Sequence, residues 1–326
     1  MSIVLTVLLI LGIFIAITTL FVGLMYIRFK RRVGLQFPKP SRQFPATRAQ
    51  PKDWQPNRTY AALIGHSTLL FQMDDKVVLT DPVLYSRVGV STPFGKIGPR
   101  RYTDVAISLP ELPRPDLILL SHGHMDHLDL QSLRHLAHPH TRVVTASGIS
   151  HLVGRMKFGR VMEVKTHATV EPVAGIEVTA IPVRHWGNRF PWNRTYGYAG
   201  FVIHYHGVRI LFAGDTAYTE DMANVRHLGI DIACLPIGAY APDSFLGSHC
   251  SPEQAWQMFQ ASGAKYLIPM HWNTFVLSAE PVDEPILRLV EAAGSEKDRI
   301  VIHAPGETFV LPSCSTRPHF PWNVRE

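Results

Sequence analysis

The sequence predicts an α+β domain behind one membrane-spanning helix, and three observations predict it. Short apolar runs that read as strands recur from Tyr60 onward, and several end abruptly in histidine or aspartate. Helical stretches separate them, the clearest opening at Ser251 with Pro252 in its first turn and Gln254 three residues on, a capping box. At the start of the chain, Ile3 to Ile27 carries no charged residue and exceeds the roughly 20 apolar residues that cross a bilayer as helix. The 326 residues are 46% hydrophobic, enough for one large core or two small ones.

Taken in order, residues 1–27 form the transmembrane helix. No Lys or Arg precedes the apolar run and no small-x-small cleavage signal ends it, which disfavours a secretory signal. Arg28, Lys30, Arg31 and Arg32 stand immediately after it, so the positive-inside rule places the remaining chain on the cytoplasmic side of a single-pass anchor. Residues 28–58 hold five prolines and nine basic residues against one acid, Asp53, and read as an extended basic linker. Such a linker either spaces the domain from its anchor or draws it to an anionic bilayer surface, at about 1 kcal/mol per well-placed basic residue. The net charge of +6 thus has its basic run beside a membrane span, with no nucleic-acid-binding module, which argues against nucleic acid as a partner.

Residues 59–326 form the remaining domain. It begins as a meander, YAALIGHSTLLFQM then KVVLTDPVL, with Asp74 and Asp75 supplying the turn before Lys76. DLILL from Asp116 is a buried strand, LDLQSLRHLA a short helix, and TRVVTAS and IEVTAIPV are strands. YGYAGFVIHYHG and VRILFAGDT form a hairpin about His206 and Gly207. The capped helix from Ser251 closes at Gly263, KYLIPM is a strand, a helix runs near Pro285 to Ala293, and RIVIHAP is a last strand. Cys234, Cys250 and Cys314 are too few and scattered for a disulfide framework, which fits reduced thiols on the cytosolic side.

The chemistry is concentrated just after DLILL, where His122, His124, Asp126 and His127 stand within six residues. Strand ends are where open α/β sheets place their sites. His122 and His124 alternate and can converge on one cation, while the adjacent Asp126 and His127 can turn toward a second. Two imidazoles, one more ligand and a water suit a catalytic zinc. The same device recurs: His185, Asp215 and His271 each follow an apolar strand. Asp81 in TDP and His66 in GHST also stand at strand ends and are candidates to orient the ligands from behind. His204 and His206 flank a turn, and His135, His138 and His140 crowd a helix end where cations offset the macrodipole; neither set is read as a metal site.

The order HxHxDH, His185, Asp215, His271 resembles the metallo-β-lactamase superfamily over about Tyr60 to Leu311. That resemblance implies a four-layer αβ/βα sandwich with the metal site along one edge of two facing sheets. It implies two zinc ions, other divalent metals not being excluded. His122, His124 and His185 would hold one, Asp126, His127 and His271 the other, and Asp215 would bridge them. A closer likeness is to the N-acyl-phosphatidylethanolamine-hydrolysing phospholipase D branch, carried by GHSTLLFQMDDKVVLTDPVLYSR, SLPELPRPDLILLSHGHMDHLDL, LFAGDTAY, LPIGAY and PMHWNTF. By that likeness His249 would touch the substrate phosphate or protonate the leaving group. The N-terminal helix departs from the known animal members, and NRFPWNRTYG after His185 has no counterpart that we map.

The resemblance therefore implies a membrane-bound, dinuclear zinc phosphodiesterase of phospholipase D type. Paired metals roughly 3.5 to 4 Å apart make hydroxide available near neutral pH and clamp both oxygens of an in-line displacement. Attack on phosphorus, with Asp126 orienting the nucleophile, would split an N-acylated phosphatidylethanolamine into phosphatidic acid and an N-acylethanolamine. The alternative is a metal-dependent hydrolase of small lactones or cyclic phosphate esters. A non-catalytic scaffold would have lost a ligand, and all seven are present. Trp186, Trp192, Tyr196, Tyr240, Phe245 and Trp272 are candidates to line a substrate groove, and Phe320 to Trp322 to dip into an interface or cover the core.

Overall fold

In a computed structural model, residues 3–33, 37–93, 95–190, 192–193 and 195–312 are described. Cys314 and Phe320 to Trp322 lie outside the described residues, as do Pro191 and Arg194 of the segment after His185. The chain divides into two compact units, Met1–Phe37 and Pro38–Glu326. The first contains helix α1 (Ile3–Val33), in which Ile3–Met25 is long and apolar enough to be a candidate membrane span.

In the second unit, strands β1 (Thr59–Gly65), β2 (Thr68–Met73) and β3 (Lys76–Thr80) form the expected meander. A separate hairpin of β4 (Val90–Thr92) and β5 (Gly95–Ile97) precedes β6 (Leu117–Leu120). Helix α2 (Leu130–Leu136) follows, its N-terminus capped by the Asp129 side chain. Then come β7 (Arg142–Ala146), β8 (Arg160–Val164), β9 (Thr169–Val173) and β10 (Ile176–Ile181). The hairpin of β11 (Gly200–Tyr205) and β12 (Val208–Phe212) leads to β13 (Ile232–Pro236). Helix α3 (Pro252–Ser262) carries the complete capping box and ends at left-handed Gly263, as its sequence requires. Strand β14 (Tyr266–Met270), helix α4 (Glu284–Ala293) and strand β15 (Thr308–Val310) complete the unit.

One sheet has the order β15-β1-β2-β3-β6-β7-β8 and the other β14-β13-β12-β11-β10-β9. Buried residues of both sheets, including Leu70, Leu119, Phe201 and Phe212, belong to one cluster to which α2 and α3 also contribute. This is the sandwich of the expected fold. β1, β3 and β6 run the same way in the first sheet, and β10, β12 and β14 run the same way in the second. Six strand ends thereby supply the turns that carry His66, Asp81, His122, His185, Asp215 and His271.

Three sequence readings change. RIVIHAP is not a strand: only Ile300 bridges Leu267, and the chain turns through Ala304–Glu307 before β15 pairs with β1. The half-exposed β8 and β9 lack an apolar run and were not legible. The segment 28–58 is not an extended linker throughout. Its first residues continue α1 to Val33, and residues from Pro38 belong to the second unit, where Gln43 bridges Thr103, Ala49 N–H donates to Ala106 O and Arg42 pairs with Asp104.

Candidate metal centre

Three of the turns that carry predicted site residues hold those residues in unusual backbone. His66 (φ 57°), Asp81 (φ 34°) and His271 (φ 63°) are all left-handed although none is glycine. Such conformations cost on the order of 1–3 kcal/mol each and persist where the surroundings over-determine them. The surroundings here are specific: His271 N–H donates to His66 O, and His66 N–H to Thr274 Oγ1.

The seven predicted ligands converge in two groups. His122, His124, His185 and Asp215 offer atoms mutually within 4.8 Å, as do His66, Asp126, His127 and His271. Asp215 Oδ2 faces both, lying 4.0 Å from His122 Nε2 and 3.7 Å from His185 Nε2 on one side. On the other it lies 3.2 Å from His127 Nε2 and 3.1 Å from His271 Nε2. Asp126 Oδ2 is within 3.7 Å of His127 Nε2 and 3.6 Å of His271 Nε2.

Partners behind the centre decide which imidazole nitrogen faces inward. Ser121 Oγ–H donates to Asp81 Oδ2, so its lone pair accepts His122 Nδ1–H at 2.9 Å and leaves His122 Nε2 bare. His185 Nδ1–H donates to Ser248 O at 2.7 Å, leaving its Nε2 bare. His127 Nδ1–H donates to Asp81 Oδ2 at 2.7 Å, which directs its Nε2 toward Asp215. His122 Nε2 stands 2.8 Å, and His185 Nε2 3.3 Å, from His124 Nδ1. Convergent lone pairs of this kind call for a cation. So do His127 Nε2, both ring nitrogens of His271 and Asp215 Oδ1, which are buried without a hydrogen-bond partner. The donor set of imidazoles and carboxylates fits zinc.

Electrostatics agree with that reading. Burial pushes His66 and His185 down to about 3 and His124 to about 4, and holds His122 far below its ordinary value. These four imidazoles are neutral at pH 7, the form that ligates metal. Burial opposes charge on His127 and His271 too, but Asp215 outweighs it, holding His127 well up and His271 at about 9. Burial likewise works against ionising Asp126 and Asp215, and His127 overcomes it for both, so both are carboxylates. A cation entering the centre takes over the role of those two protons.

His249 lies at the rim, its Nδ1 3.9 Å from Asp215 Oδ2 and without a hydrogen-bond partner. His66 Nε2 meets Asp126 Oδ2 at 3.1 Å and belongs to the second converging group, while Asp81 holds His127 from the side away from Asp215. Sequence reasoning missed Ser121, the Ser248 carbonyl and Arg189; adjacency to His122 was a signal for the first only. Arg189 Nη1 donates to Gly123 O and Leu128 O, bracing the ligand loop.

Of the six aromatics, Trp186 edges onto His124 at 4.1 Å between ring centroids and Trp192 is exposed. Tyr196 bonds His151, Tyr240 bonds Glu284, and buried Trp272 donates to Pro269 O, so these three have structural partners. A cleft borders His271, with Tyr102, Trp272, Phe275 and Leu277 among its walls beside polar Asn273 and Glu280. His204 pairs with Glu177 and His206 with Asp74, which accounts for both without a metal.

A family model, the β-lactamase superfamily domain, matches residues 76–272. An uncharacterized protein of Mycobacterium tuberculosis is 32% identical over 274 residues, covering 82% of this chain and 72% of its own. The mitochondrial N-acyl-phosphatidylethanolamine-hydrolyzing phospholipase D of Saccharomyces cerevisiae is 31% identical over 263 residues, covering 76% of this chain and 55% of its own. Among solved structures, an isothiocyanate hydrolase from Delia radicum gut bacteria superposes with a TM-score of 0.61 at 20% identity, over 77% of this chain and 98% of that one.

Proposed function

The chain belongs to the metallo-β-lactamase superfamily as a metal-dependent hydrolase, and from that premise we propose a phosphodiesterase of phospholipase D type acting on N-acylated phosphatidylethanolamine. The observation that carries the reading is Asp215, one carboxylate oxygen shared between two neighbouring ligand groups. That arrangement favours a pair of zinc ions, His122, His124 and His185 holding one and Asp126, His127 and His271 the other. Bound there, two cations supply a nucleophile from water at neutral pH and charge stabilisation for an in-line displacement at phosphorus.

The chain's own residues then divide the remaining work. Asp126, held by His66, presents its carboxylate to the inner face of the centre and orients the attacking water. Asp81 fixes His127, and Ser121 fixes His122, so little reorganisation accompanies the reaction. His249 offers Nδ1 to a phosphoryl oxygen. Burial pushes its imidazole down to about 4, so of the two roles the resemblance implied, a hydrogen bond to phosphate suits it better than proton donation. The likeness to the yeast enzyme favours the phospholipid over small lactones or cyclic phosphates.

The test is lipid product analysis of the zinc-loaded, detergent-solubilised chain on N-acylated and ordinary phosphatidylethanolamine, with Asp126→Ala as control. Release of N-acylethanolamine and phosphatidic acid by the wild type alone is expected. Turnover of a small lactone or a generic phosphodiester without lipid cleavage would overturn the substrate and keep the fold. The same proposal puts the catalytic unit on the cytoplasmic side of a single-pass anchor, with the basic residues after it near anionic lipid. A topology reporter fused after Glu326 checks the side.

A further inference from the structure

The segment that follows His185 has an inner and an outer face. Inward, Arg189 Nη1 donates to Gly123 O at 3.1 Å and Leu128 O at 2.8 Å, gripping both ends of the loop that carries His124, Asp126 and His127. The backbones are in close contact there, since a Cβ on Gly123 would stand 2.8 Å from Gly187 O. Outward, Asn193 N–H donates to Phe190 O at 2.9 Å and Phe190 N–H to Asn193 Oδ1 at 3.1 Å, closing a turn. The turn displays Trp192, 74% exposed, stacked on Phe190 with ring centroids 5.0 Å apart and planes at 4°. Trp186, 49% exposed, packs edge-on against His124 with ring centroids 4.1 Å apart.

A second exposed apolar pair, at the base of the β4–β5 hairpin, stands beside the same loop. Lys96 of the β4–β5 hairpin reaches Asp129, the residue after Leu128, at 2.6 Å, and the hairpin exposes Val90 and Ile97. Single exposed apolar residues need no explanation. Here the braced Trp192 turn, the Val90–Ile97 pair of the hairpin and a half-exposed indole are all attached to one loop, the loop that carries the ligands. Indole is amphipathic and favours the water–lipid boundary, where its ring is in contact with acyl chains and its N–H stays hydrated.

We propose that the Trp192 turn and the β4–β5 hairpin dock into the interface of a lipid bilayer, setting the mouth of the metal centre at headgroup level. The occupant is a bilayer because the exposed groups are those of membrane interfaces and the chain carries a candidate span of its own. The docking holds whichever lipid is cleaved. Arg189 is the inner anchor of the device and Trp192 its outer contact.

The full chain, reconstituted into vesicles of phosphatidylcholine and phosphatidylglycerol, is read by quenching of tryptophan fluorescence with phosphatidylcholine brominated close to the headgroup. Trp192→Phe keeps the stack on Phe190 and is expected to lose part of the quenched signal. Ile97→Trp, placed on the Trp192→Phe background, is expected to regain quenching from the exposed pair of the hairpin. Equal quenching in wild type and Trp192→Phe overturns the proposal, as it would if Trp192 covered a second copy of the chain. Because no turnover is measured, this outcome is separate from any failure of the proposed phospholipase activity.

Discussion

Asp81 commits both carboxylate oxygens to the centre without facing it: Oδ1 accepts Ser121 N–H at 2.8 Å, and Oδ2 accepts His127 Nδ1–H at 2.7 Å. Burial pushes its carboxyl up, while His127 and Ser121 pull it back toward the ionised form. Asp81→Asn keeps the shape and tolerates the positive φ, but loses the charge that fixes the His127 tautomer. Zinc affinity is expected to fall about 10- to 100-fold, the usual cost of removing a residue that orients a ligand, as read by competition with a chromophoric chelator. An unchanged affinity would reduce Asp81 to a turn residue before Pro82. The role was legible because TDP ends an apolar strand. Ser121 and the Ser248 carbonyl were not, because a hydroxyl or a backbone oxygen becomes a partner only when a distant strand brings an imidazole to it.

At the scale of elements, the ends of β13 and β14 approach so closely that a Cβ on Gly238 would lie 2.3 Å from His271 O. Gly238→Ala therefore has to displace the turn that carries His271. We expect weaker zinc binding together with a lowered unfolding midpoint in the metal-free protein; a variant with wild-type zinc affinity would show that the turn yields elsewhere. Helices α3 and α4 are clamped by Arg288, which bonds both Glu253 oxygens at 2.8 Å and Glu284 at 3.0 Å. Burial opposes ionisation of Glu253, but Arg288 and Ser251 outweigh it and hold its carboxyl below the ordinary 4.5. A folded value below the unfolded one means stability that is present above 4.5 and lost as pH falls through the folded value. The difference in midpoint between wild type and Glu253→Gln should thus be present at neutral pH and shrink under acid. A difference that is constant with pH would assign the effect to packing.

For the molecule as a whole, a bound cation is expected to add stability at the centre, where His127 Nε2, His271 Nε2 and Asp215 Oδ1 have no hydrogen-bond partner. Chelator-treated protein should unfold at a lower temperature than the zinc-loaded form, and the midpoint should climb with free zinc. At a free concentration 100 times Kd the stabilisation is about 2.7 kcal/mol. A midpoint that ignores zinc would remove the metal from the reading of this site.

The sequence by itself marked the apolar strands that carry the site and the capped helix, because apolar runs and caps act over a few neighbours. It also marked the seven residues that converge at the candidate centre, since HxHxDH and the later His and Asp each sit where an apolar strand stops. Only the tertiary structure decided that Asp215, from the second sheet, faces both groups, and that Asp81, Ser121 and Ser248 select the inward nitrogens of His127, His122 and His185. It also decided that RIVIHAP stays unpaired beyond one bridge and that residues from Pro38 pack with the domain. These are pairings between residues far apart in the chain. A strand's partner and an imidazole's tautomer depend on what folding brings beside them, which no local pattern encodes.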